Sequence, residues 1–144
     1  MRTSSVYTLS KTAKNQEAVK MMAENMIQMC REKDLRVIGL TTSTRYVDYK
    51  KKAGKELAKA MTEAGYPTGY SEDGARMEPS GKEQCLLVDI PPIHLFADGM
   101  NTAKKMDGVI SVERYAYTRY KDFEVMLKAL QEKNILFLGV VAHR

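Results

Sequence analysis

Val109-Ile-Ser-Val-Glu-Arg-Tyr-Ala-Tyr-Thr-Arg-Tyr-Lys-Asp-Phe123 begins apolar and β-branched and ends polar, with Asp122 as a helix cap. That is the pattern of a strand delivering the chain into a helix. Its last six residues, Thr118-Arg-Tyr-Lys-Asp-Phe123, repeat Thr44-Arg-Tyr-Val-Asp-Tyr49 with four identities. Both copies stand at a strand-to-helix junction. The helix ends also correspond: Lys59-Ala-Met61 is followed by Gly65, and Lys128-Ala-Leu130 by Asn134. Two readings of the echo stay open, a reused capping junction and an internal duplication.

A duplication implies an α+β domain of ferredoxin-like type. Two βαβ-type halves form one antiparallel sheet with helices on one face, and an extra amphipathic helix precedes them. Residues 1–34 are then an N-terminal strand and helix extension, and 35–144 the duplicated core. In that arrangement the first and third core strands are antiparallel neighbours, which puts Arg45 and Arg119 at opposite ends of the sheet.

The 144 residues suit a single domain. The net charge is +5, with no basic tail; the densest cluster, Lys50-Lys51-Lys52 with Lys55 and Lys59, falls on a helix face. Cys30 and Cys85 have no metal-ligand or redox spacing and read as reduced thiols. No apolar run reaches membrane-spanning length. The expected location is the cytoplasm, away from the membrane.

Along the chain, Val6–Leu9 is a short strand candidate. Lys14–Lys33 carries Val19, Met22, Met26, Met29 and Cys30 at helical spacing, a stripe expected to form core or a self-association surface. Leu35–Thr41 reads as a strand and Tyr49–Ala64 as a helix capped by Asp48, stopped by Gly65 and Pro67. Thr68–Glu83, with three Gly and a Pro, reads as a long surface loop, a lid or an excursion. Gln84–Ile90 is a strand ended by Pro91-Pro92, and Met100–Met106 one or two helical turns. Phe123–Lys133 is a helix and Ile135–Ala142 the last strand.

Two places attract a ligand on residue chemistry. Thr42, Ser43, Thr44 and Arg45 combine hydroxyls and a guanidinium with a helix N-terminus, a setting for an anion; the same hydroxyls equally serve as local caps. Glu113, Tyr115 and Tyr117 share one strand face near Arg119, a wall for an aromatic or cationic ligand or an aromatic pair packed under a helix. Cys85 and His94 are the candidates for nucleophile and base, without a visible third group. No Walker-type glycine pattern, metal-ligand spacing or cofactor motif is present.

Glu113-Arg-Tyr-Ala-Tyr-Thr-Arg-Tyr120 resembles the aromatic strand motif of RRM-type RNA-binding domains, with Glu113 and Arg114 replacing a basic residue and a glycine. That resemblance implies stacking of unpaired bases on the tyrosines. The same Arg-Tyr-Ala-Tyr strand and following helix also resemble the duplicated ligand-binding domains of the gyrase-inhibitory-protein type. That resemblance implies a small molecule enclosed between two pseudo-symmetric halves. The resulting expectation is a non-catalytic domain, with a regulatory role left open, that binds a small anionic or aromatic ligand and self-associates, foremost as a dimer. Nucleic-acid binding through residues 109–118 is the alternative, and Cys85/His94 chemistry the third reading.

Overall fold

The computed structural model describes residues 6–9, 13–44, 48–114 and 119–143. Its elements are β1 (Val6–Leu9), α1 (Ala13–Lys33), β2 (Val37–Thr41), α2 (Asp48–Glu63), β3 (Thr68–Ser71), a 3₁₀ turn (Glu72–Gly74), β4 (Cys85–Asp89), α3 (Ala97–Ala103), β5 (Gly108–Arg114), α4 (Tyr120–Glu132) and β6 (Phe137–His143). The strands form one six-stranded sheet in the order β1-β6-β5-β2-β4-β3. Every pairing is parallel.

The ferredoxin-like expectation is therefore wrong, and so is the internal repeat built on it. Parallel strands need a crossover between them, which the helices supply. The Thr-Arg-Tyr-x-Asp echo marks two passages of one recurring strand-to-helix step, after β2 and after β5. These two strands are neighbours, with Thr41 opposite Ser111. Both junctions consequently lie at the same edge of the sheet, not at opposite ends.

Helices cover both faces. Val19, Met22, Ala23, Met26 and Ile27 of α1 and Ala53, Leu57 and Met61 of α2 pack with Ile38, Leu40, Leu87, Ile110 and Val112 on one side. Met126 and Leu130 of α4 and Ala103 of α3 pack with Val37, Leu86, Val88, Val109 and Phe137 on the other. Alternate residues of each central strand thus enter opposite cores, which is why all of Val37–Thr41 is buried. The methionine stripe of α1 is used within the chain: Met22 and Met26 are buried, and Met21 is the exposed one. β1 accordingly belongs to the sheet, paired with β6, and α1 to the core, rather than to an extension.

Other local differences have simple causes. The expected loop 68–83 opens with edge strand β3, whose Thr68–Ser71 pairs with Cys85–Val88; four residues containing a glycine give too little pattern to be seen. Helix α4 starts at Tyr120, so Asp122 lies in its first turn and not at its cap. Gly65 (φ 93°) and Asn134 (φ 55°) take the left-handed conformation just past α2 and α4, as their sequence positions imply.

Candidate functional site

The chain leaves β2 towards β3 and β4 on one side, then crosses back through α3 to β5 on the other. Strand β2 therefore stands at the switch point of the sheet. There helices diverge to opposite faces, and in open α/β sheets that is where ligands bind, outside the carboxyl ends of the strands. Leu40 of β2 is in register with Asp89 of β4, and Thr41 with Ser111 of β5. Three strands thus bring polar side chains to one edge, under the start of α2.

The turn after β2 is buried and polar. Thr41, Thr42 and Ser43 are almost without exposed surface. Thr41 Oγ1 donates to the Pro91 carbonyl at 3.2 Å, and the Thr44 amide donates to Thr42 Oγ1 at 3.3 Å. Ser43 turns towards β5: its amide donates to Glu113 Oε2 at 3.0 Å and its hydroxyl to Glu113 Oε1 at 2.6 Å. Ser111 Oγ donates to the same carboxylate. Glu113, 4% exposed, is thereby held by the turn and by its own strand. Beside it, burial pushes the buried Tyr49 hydroxyl well above the usual phenol range, and the Glu113 charge adds to the shift.

On the β4 side, Lys50, on the first turn of α2, places its ammonium 2.5 Å from Asp89 Oδ1 and donates to the Ile90 carbonyl at 2.7 Å. Tyr70 of β3 donates its hydroxyl to Asp89 Oδ2 at 3.1 Å. Lys50 and Asp89 are each only 11% exposed. A lysine held at a helix N-terminus beside a carboxylate at a strand's carboxyl end is a charge arrangement suited to phosphate oxygens and an accompanying cation.

His94 follows the Pro91-Pro92 turn. Burial lowers its pKa, opposed by the nearby Ser43 backbone and the Asp122 and Glu113 carboxylates. Neither ring nitrogen has a hydrogen-bond partner among the described residues. Cys85 lies at the other end of β4, four strand residues and thus about 13 Å before Asp89. It is fully buried, and its thiol pKa is pushed up by the hydrogen bond shared with Cys30 and then by burial. Cys85 and His94 share no cleft.

Of the residues singled out from sequence, Thr42, Ser43 and Thr44 form the turn, and Glu113 joins them through Ser43, merging what read as two separate places. Arg119 is exposed at the start of α4. Arg45, Tyr115 and Tyr117 lie outside the described residues. From sequence, Lys50 reads only as one member of the lysine cluster on α2. Ser111 and Tyr70 carried no sequence signal of their own, whereas Asp89 ended an otherwise apolar strand, which was the available clue. An open groove of about 690 Å³ lies elsewhere, between α1 and the later turns of α2, lined by both signs of charge, among them Lys20, Glu56, Lys59 and Glu63.

No protein-family profile matches the chain. No curated protein matches it by sequence. Solved structures do match its fold. The BceF tyrosine kinase domain superposes with a TM-score of 0.75 at 15% identity, over 90% of this chain and 77% of that one. The kinase domain of Escherichia coli tyrosine kinase ETK gives 0.75 at 11% identity, over 90% and 75%. The chimerical protein CapA2B2 gives 0.76 at 13% identity, over 96% and 92%. The chain thus shares the parallel α/β fold of these solved domains, and has neither an RRM nor a pseudo-symmetric ligand-binding fold.

Proposed function

We propose that this chain is a nucleotide-binding domain of the kinase type, which holds the phosphate end of a nucleoside triphosphate over the carboxyl ends of β2, β4 and β5. The observation that carries the reading is the Lys50–Asp89 pair at 2.5 Å, set at the switch point where folds of this kind bind their ligands. Lys50 supplies the positive charge for phosphate oxygens, and the hydroxyls of Thr42 and Thr44 line the turn beside it. Among the described residues no group of three or more metal-ligating side chains could cage an ion. Asp89 fits the other mode, in which a magnesium ion arrives with the phosphates and takes one carboxylate; bound there, it would neutralise phosphate charge.

Phosphoryl transfer to a hydroxyl acceptor is the reaction that this reading implies, and positioning with charge neutralisation is most of what the protein must supply for it. One observation favours a second reading, binding without transfer. The Walker pattern G-x-x-x-x-G-K-[ST] is absent, and no glycine stands between Gly39 and Gly54. The backbone cradle that glycines give a phosphate-binding loop is thus not encoded. We place the domain in the cytoplasm, where nucleotide is abundant and the free thiols of Cys30 and Cys85 stay reduced. No helix among the described residues is long and apolar enough to cross a membrane.

Calorimetric titration with MgATP tests the reading. Saturable binding by the intact chain that is lost in Lys50→Met supports it; no binding at millimolar nucleotide refutes it. Incubation with γ-labelled ATP and a tyrosine-containing acceptor then separates transfer from binding alone.

A further inference from the structure

Glu113 places a full carboxylate where the β2–α2 turn aims its donors. The Ser43 amide and hydroxyl both point at it, at 3.0 and 2.6 Å, and the Ser111 hydroxyl adds a donor from β5. An amide and a hydroxyl converging from a strand-to-helix turn are the groups that elsewhere receive a phosphate oxygen. Here a side chain of the protein already receives them. Glu113 is not needed to register β5 on β2, since the ladder pairs Thr41 with Ser111 directly. A buried carboxylate also carries a desolvation cost that a neutral β-branched residue in the same strand would avoid. Its placement makes sense as an anion standing in for another anion.

We propose that Glu113 is a resident anion that competes with the phosphate of an incoming nucleotide for the Ser43 donors, so that the site fills only when this carboxylate is displaced. The inference rests on the nucleotide reading given above and adds its regulation: the site is self-occupied in the resting chain. Two contributions oppose phosphate while Glu113 is in place, like-charge repulsion and occupied volume. They separate by substitution. Glu113→Gln removes the charge and keeps the shape, with an amide oxygen still able to accept from Ser43. Glu113→Ala removes both.

The test is calorimetric titration of the wild-type chain and both variants with inorganic pyrophosphate and with MgADP, alongside thermal unfolding of each protein. The expected result is an affinity at least about tenfold higher for Glu113→Ala, with Glu113→Gln between it and wild type, since close like charges disfavour binding by about that factor or more. Binding by a variant where the wild type shows none counts the same way. If Glu113→Ala fails to fold, Glu113→Gln decides alone. Variants that bind no more tightly than the wild type overturn the proposal. Where the wild type itself binds and the variants merely equal it, the resident-anion role falls and the nucleotide site stands. Where none of the three binds at millimolar ligand, both fall.

Discussion

Replacing Lys50 by Met is the perturbation whose size follows most directly from the structure. Lys50 and Asp89 are 2.5 Å apart and each 11% exposed, so the pair is neither a surface contact nor fully sealed. Exposed pairs contribute about 0–1 kcal/mol, while removing one partner of a buried pair costs about 3–5 kcal/mol. Asp89 keeps the Tyr70 hydroxyl at 3.1 Å after Lys50 is lost, which moderates the penalty. The coupling between the two side chains is therefore about 1–3 kcal/mol, between those limits. Lys50→Met also removes the 2.7 Å bond to the Ile90 carbonyl, adding about 1 kcal/mol. Its total cost is then about 2–4 kcal/mol, from the same two sources. The assay is a double-mutant cycle in urea with Lys50→Met, Asp89→Asn and the double variant, the double being less destabilised than the sum of the singles by the coupling. Unchanged denaturant slopes would show that the unfolded state is not the cause. A coupling below about 0.5 kcal/mol would refute the reasoning, since the pair would then be a solvated contact and Lys50 would not be held over the site.

Three further outcomes are expected. His94 has a pKa lowered by burial, so the unfolded state takes up the proton first and stability falls as pH drops below about 6.5; His94→Asn flattens that dependence in denaturation curves at pH 7.5 and 5.5, and an unaltered slope contradicts it. Arg76 holds Glu83 at 2.7 Å and, with Ser80, lowers its carboxyl pKa to about 2; this stabilisation is present above about pH 4.3 and is lost as pH falls towards 2. The pair is partly exposed, so Arg76→Ala should cost only about 0.5–1 kcal/mol at neutral pH and much less at pH 2. At Gly99 an added Cβ would stand 2.6 Å from the Pro91 carbonyl oxygen and 2.8 Å from that of Pro92. Backbone cannot swing aside as a side chain can, so Gly99→Ala destabilises the chain by about 1–3 kcal/mol in urea, and a neutral result would show that α3 is free to shift.

The elements were more legible than their arrangement. Helices α1 and α2 have amphipathic spacing and a left-handed stop that read straight from the residues. The parallel sheet also left a trace: Val37-Ile-Gly-Leu, Cys85-Leu-Leu-Val and Phe137-Leu-Gly-Val-Val lack the polar alternation of a half-solvated antiparallel sheet. Such unbroken runs belong to strands covered on both faces. The likeness of residues 44–49 and 118–123 outweighed that trace because a repeated β–α step resembles a duplicated domain when its neighbours are unknown. The site was half legible. Ser43 and Glu113 were each marked by their chemistry, but only the pairing of β2 with β5 brings them together. Lys50 was hidden among lysines, and its role depends on Asp89, which is 39 residues away in sequence and adjacent only through the fold.

The central claim is that nucleotide phosphates bind at the carboxyl ends of β2, β4 and β5. Amide chemical-shift mapping of the labelled intact chain during titration with MgADP tests it most directly. The account predicts saturable shifts concentrated at Thr42, Ser43, Thr44, Lys50, Asp89 and Glu113, absent in Lys50→Met. Shifts confined to the α1–α2 groove, or none up to millimolar nucleotide, would contradict it.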